Sequence, residues 1–171
     1  MEEFLCYVED FDRNPNTRPA LPFLIGHEVF GVKFALACDF LKEIGFSNYS
    51  KPDTHLLDIF TGLGLSDRDP LSVFRAVTEM SVDVQETPYA VDKVFWLIGS
   101  GNLYNHARTF HTDKDEYVRM ALSAWEEKRR AKYAPGGALL NASKRAGILA
   151  WFRGVGSLSC GSWSMGDHCP T

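Results

Sequence analysis

The sequence predicts an all-α protein, one compact multi-helix domain, and three observations carry that expectation. Apolar residues recur at helical spacing, as in Phe34, Ala37, Cys38, Leu41 and Ile44. Capping residues followed by proline stand where helices should begin (Asp69-Pro70, Thr87-Pro88), and glycines stand where they should end (Gly45, Gly62, Gly64, Gly99). The 171 residues are 45% hydrophobic and 13% aromatic, enough to bury a core of one domain. That domain is expected over residues 1–135, with a weakly structured tail over 136–171.

Taken in order, residues 1–22 read as the end of an unseen element followed by a turn. The stretch from Asp12 to Pro22 carries three prolines and two asparagines. The abrupt opening suggests a chain cut short on its N-terminal side. The first helix is expected from Gly31 to Gly45, with a polar face of Lys33, Asp39, Lys42 and Glu43. After the loop Phe46-Ser-Asn-Tyr-Ser-Lys-Pro, Asp53 caps a second helix that Gly62 and Gly64 stop. A third runs from Pro70 through Met80 under an Asp69 cap, and a fourth from Thr87-Pro88 to Gly99. A charged fifth helix is expected from Asp113 to Lys132. Beyond Pro135-Gly136-Gly137 the chain turns rich in Gly, Ser and Cys without a helical period.

Composition limits the partners. A net charge of −4 is wrong for a protein that coats nucleic acid by bulk attraction. It is compatible with a local grip on DNA, because helix N-termini and backbone amides bind phosphates without side-chain charge. No apolar run approaches the ~20 residues of a membrane span. With no secretory signal at Met1-Glu2-Glu3, a soluble protein of the cytoplasm, associated with the nucleoid, is the expectation. The cysteines at 6, 38, 160 and 169 lack paired metal-site spacing, so reduced thiols and no metal are expected, His168 notwithstanding.

Two segments carry the chemistry. Gly31-Val-Lys-Phe-Ala opens one helix, and twenty residues after Lys33 comes Lys51-Pro-Asp-Thr-His-Leu-Leu-Asp-Ile-Phe-Thr-Gly-Leu-Gly-Leu. Together they resemble the endonuclease III and oxoguanine glycosylase superfamily. Its helix-hairpin-helix motif ends in Gly-x-Lys-x-Ala and precedes an Asp-x-His segment and a helix closing in Leu-Gly. The likeness spans residues 20–104, through the helix of Trp96 that ends at Gly99-Ser100-Gly101.

The resemblance implies that Asp53 is the catalytic aspartate and Lys33 the lysine that bifunctional members use against the sugar C1′. It implies further that the amides of Gly31 and Val32 hold a DNA phosphate, with a monovalent cation at the hairpin as the one cofactor-like component. His55 would position a loop or a phosphate. The chemistry is coherent: a carboxylate stabilises the cationic sugar formed as a base departs, and a lysine can attack it. The expected partner is double-stranded DNA with the target base flipped out, and no obligate protein partner is implied.

The family's usual Leu-Pro-Gly-x-Gly is replaced by His27-Glu-Val-Phe-Gly, which leaves two hairpin registers open. One turns at Gly31. The other uses Leu21-Pro-Phe-Leu-Ile-Gly26, puts Glu28 in place of the lysine and leaves Asp53 alone to activate water. Gly31 is preferred for its spacing to Asp53. Each residue also has a plainer reading: Asp53 as a helix cap, Lys33 as a solvated lysine, His55 as a local hydrogen-bonder. Phe95 and Trp96 are read as core, and Glu126 to Arg130 as a solvated face. The expected function is a base-excision DNA glycosylase, with lyase activity if Lys33 acts. The alternative is a non-catalytic helix-hairpin-helix DNA-binding module.

Overall fold

A computed structural model describes residues 2–105, 108–111 and 113–132. The expectation of a weakly structured tail lies outside these residues, as do Cys160, His168 and Cys169. The described residues form seven helices and one short hairpin. The helices are α1 (Glu2–Asp12), α2 (Ala20–Glu28), α3 (Phe34–Glu43), α4 (Thr54–Gly62), α5 (Pro70–Val84), α6 (Pro88–Ser100) and α7 (Lys114–Lys132). No helix among the described residues is long and apolar enough to cross a membrane.

The expected helix starts are largely realised. The side chain of Asp69 accepts from Ser72 N at 2.9 Å, and that of Thr87 from Ala90 N at 3.1 Å, each ahead of a proline. Asp113 caps α7 through Asp115 N at 2.8 Å. The ends of α3 and α4 follow one pattern. After α3, Gly45 takes φ 108°, its N–H reaches Lys42 O, and the N–H of Phe46 reaches Leu41 O, both at 3.1 Å. After α4, Gly64 and Leu65 repeat this against Thr61 and Phe60, both at 2.9 Å. These paired bonds satisfy carbonyls that a helix end otherwise leaves open.

Three features depart from the sequence reading. Residues 2–12 form α1, and the turn is confined to 13–19, because Val8 of α1 enters the core and supplies tertiary support that the local turn residues could not reveal. Residues 20–28 are helical too. The proline at 22 sits within the first turn of α2, where its missing N–H costs nothing. Finally, β1 (Asn102–Asn105) and β2 (Arg108–His111) pair antiparallel between α6 and α7, with Asn102 opposite His111 and Asn105 opposite Arg108. The helical class stands, with this hairpin as an addition.

Two apolar clusters hold the helices. One joins Leu56, Ile59 and Phe60 of α4 to Val73 and Val77 of α5 and to Phe95 of α6. The other joins Val8 of α1, Leu21 of α2, Phe34, Cys38 and Leu41 of α3, and Tyr49 of the following loop. Helix α5 serves both, since Phe74 belongs to the second cluster while its neighbour Val73 belongs to the first. Phe95 is fully buried, as expected, with its ring edge-on to Phe60 at 4.8 Å.

Candidate functional site

The site is built where the chain passes from the second cluster to the first. Helices α2 and α3 are joined by the five residues Val29–Lys33, so the turn includes Gly31 and not Gly26, which lies inside α2. Gly31 has φ 83°, with open space where a Cβ would stand, so glycine is needed there for the backbone angle. Gly26 is packed tightly, since a Cβ on it would meet the carbonyl oxygen of Val32 at 3.2 Å. Lys33 occupies the N-cap position of α3 in extended backbone and supplies no side-chain cap. It is exposed, and the first-turn amides of α3 are left without its help. Around this turn Phe23, Leu24 and Val29 are exposed, and Phe30 is fully so.

Asp53 stands in extended backbone at the N-cap of α4. Its Oδ1 accepts from His55 N at 2.9 Å and Leu56 N at 3.2 Å. Among the described residues nothing donates to Oδ2. One oxygen is therefore committed to the helix start, and the half-buried carboxylate keeps the other for a further partner. The side chain of His55 packs on α6. A Cβ at Gly99 would stand 2.5 Å from His55 Cβ and 3.2 Å from its Nδ1, so the close approach requires glycine. That Nδ1 is buried and has no hydrogen-bond partner among the described residues.

The structure thus joins Asp53 to His55 through the cap, and sets Gly31, Val32 and Lys33 together in the α2–α3 turn. Lys33 and Asp53 share no hydrogen bond or ion pair among the described residues.

A cluster that the sequence does not announce holds Lys51, two residues before Asp53. The carboxylate of Asp92, on α6, is 2% exposed. Its Oδ2 accepts from the main-chain N–H of Lys51 at 2.7 Å and from Lys42 Nζ at 3.2 Å. Lys42 also pairs with Asp39 at 3.2 Å, and Lys51 Nζ donates to Asp39 at 2.8 Å. Burial pushes the Asp92 carboxyl above its ordinary range, the Lys51 amide and Lys42 pull it down, and the charge of Asp53 adds to the upward push. Burial acts on Asp39 in the same way, but there the lysines at 51 and 42 win and its carboxyl is lowered. The sequence did hold a signal: Pro88, Val91, Asp92 and Phe95 form the buried stripe of α6, and a carboxylate at a core position needs partners.

The loop from 44 to 53 is held elsewhere too. Tyr89 N donates to Ser47 O at 3.0 Å, and Asn48 Nδ2 to Asp12 Oδ2 at 2.8 Å. With Tyr49 and Ser50 buried, the loop is fixed against α1, α3 and α6 before it delivers Asp53.

No protein-family model, curated protein or solved structure matches this chain.

Proposed function

We propose that this protein is a helix-hairpin-helix DNA glycosylase that releases a damaged or mismatched base from duplex DNA. The observation that carries the reading is the state of Asp53: a carboxylate fixed at a helix start, with one oxygen uncommitted, at the end of a loop anchored on three sides. The α2–α3 pair with Gly31 at positive φ supports it, because α3 starts at this turn with no side-chain cap on its first amides; the Val32 amide, which the resemblance gives to the phosphate, is instead spent on Val29 O at 3.1 Å. In the reaction the C1′–N bond breaks and its electron pair leaves with the base. Asp53 stabilises the positive charge left on the sugar, and the bond to C1′ is remade by water or by Lys33 Nζ. The base must first leave the stack.

A second reading, a non-catalytic DNA-binding module on the same scaffold, is favoured by two observations: Lys33 and Asp53 are not paired among the described residues, and Asp53 does cap its own helix. Incubation with duplexes carrying a panel of lesions separates the two. The glycosylase reading expects abasic sites, and Asp53→Asn should slow their formation by about 10²- to 10³-fold. If Lys33 attacks the sugar, borohydride should trap a covalent protein–DNA adduct, and Lys33→Ala should abolish trapping. Base release without an adduct, indifferent to Lys33→Ala, assigns the nucleophile to water. Duplex binding with no base released from any lesion leaves the module.

A further inference from the structure

The charged cluster next to Asp53 has a direction. A chain of hydrogen bonds runs from α6 to the start of α4: Lys51 N donates to Asp92 Oδ2 at 2.7 Å, Asp53 N donates to Lys51 O at 2.8 Å, and Asp53 Oδ1 receives the amides of His55 and Leu56. Between these points stands Pro52, itself buried, whose ring fixes its own φ. A second path closes the ring through side chains, from Lys51 Nζ to Asp39, from Asp39 to Lys42, and from Lys42 back to Asp92. Lys42 is 10% exposed and Asp92 2%, so that pair is withdrawn from water, while Asp39 and Lys51 keep 25% and 30% of their surface.

Buried ion pairs are a poor source of stability, because apolar residues of the same volume usually do as well or better. They are, however, directional. The carboxylate of Asp92 takes a main-chain N–H from a loop residue with no regular structure to hold it, two positions before the proposed reacting group. That is what placing a carboxylate within a fraction of an ångström requires.

We propose that Asp92 is a positioning residue for Asp53, setting the Lys51–Asp53 turn through the Lys51 amide, with Asp39 and Lys42 holding the turn from the side-chain face. The proposal rests on the glycosylase reading of Asp53, and its test separates the two. Single-turnover base release and duplex affinity are measured for wild type, Asp92→Asn, Asp92→Ala and Asp39→Ala, alongside the amide resonances of Asp53, His55 and Leu56. Asp92→Asn keeps an oxygen for the Lys51 amide and should stay within about threefold of wild type, whereas Asp92→Ala should lose about tenfold to 10²-fold in rate at unchanged affinity. The three amides should shift in Asp92→Ala and return towards wild type in Asp92→Asn. If Asp92→Ala does not fold, Asp39→Ala decides, since at a partly exposed position it cuts the side-chain pairs with Lys51 and Lys42 and leaves the Lys51 amide on Asp92. It must lower the rate without weakening binding, and a wild-type rate overturns the proposal. Unmoved amides in a folded Asp92→Ala overturn it without reference to activity. A wild-type protein that releases no base removes the reading on which the proposal rests, even where the amides shift as expected.

Discussion

Asp53 has two tasks that ordinary mutagenesis would confuse. As a cap it satisfies two first-turn amides of α4, and as the proposed reacting group it offers its second oxygen to a sugar. Asparagine caps about as well as aspartate, while alanine cannot cap. Asp53→Ala should therefore cost about 1 kcal/mol of unfolding free energy, and Asp53→Asn only a few tenths. Urea unfolding of the two variants checks this. An asparagine variant as unstable as the alanine one would mean that the negative charge, rather than the hydrogen bonds, supports the helix start. The cap itself was legible in the sequence, because an aspartate after proline and before an apolar helical run has few other local uses. The partner of Lys51 was not, since Asp92 lies forty-one positions away and only the fold brings it near.

At the scale of elements, the packing of α4 on α6 depends on one missing side chain. Any Cβ at residue 99 would stand 2.5 Å from His55 Cβ, well inside contact distance, and neither helix can yield without disturbing its own core residues, Leu56 and Phe95. Gly99→Ala should destabilise the protein by about 1–3 kcal/mol despite the better helix propensity of alanine. A wild-type urea midpoint for this variant would show that the helices slide apart freely. In the sequence Gly99 reads as a helix terminator, and the helix does end beside it, at Ser100. The reason for a glycine at that position nevertheless comes from α4. Helices with a cap, a proline and an apolar stripe of their own were readable: α4, α5 and α6 begin where the sequence puts them. Helices α1 and α2 were not, because the proline-rich connection from 13 to 19 dominates the local pattern and their burial depends on α3 and on the distant α5. The hairpin after Gly101 was missed for a related reason. Four-residue strands carry little periodicity, and only Leu103-Tyr104 and Thr109-Phe110 hint at β preference.

For the molecule as a whole, acid should be the sensitive direction. Lys114 beside Asp58 lowers that carboxyl below its ordinary value of 3.8 against the opposing effect of burial, and Arg68 adds to the pull. Asp39 is lowered by its two lysines, as described. A carboxyl with a depressed folded pKa contributes stability above its unfolded value, and that contribution fades as pH falls through the folded value. Asp92 runs the other way, because its raised carboxyl favours the folded state on the acid side and offsets part of the loss. Urea midpoints should therefore fall below about pH 4, and Asp58→Asn, which ends the links from α4 to α7 and to Arg68, should make that acid limb shallower. A limb of unchanged slope in Asp58→Asn would place the acid sensitivity elsewhere. The straps on residues 44–53 have a consequence for hydrogen exchange as well. Irregular segments usually exchange their amide protons quickly, through small local openings. The Lys51 proton is held by a carboxylate inside the core, and freeing it means breaking the contacts of α3 and α6 together. In deuterated buffer that proton should persist as long as the slowest amides of α5, its protection falling with denaturant along the slope of global unfolding, so that a stretch without regular structure belongs to the last cooperative unit to open.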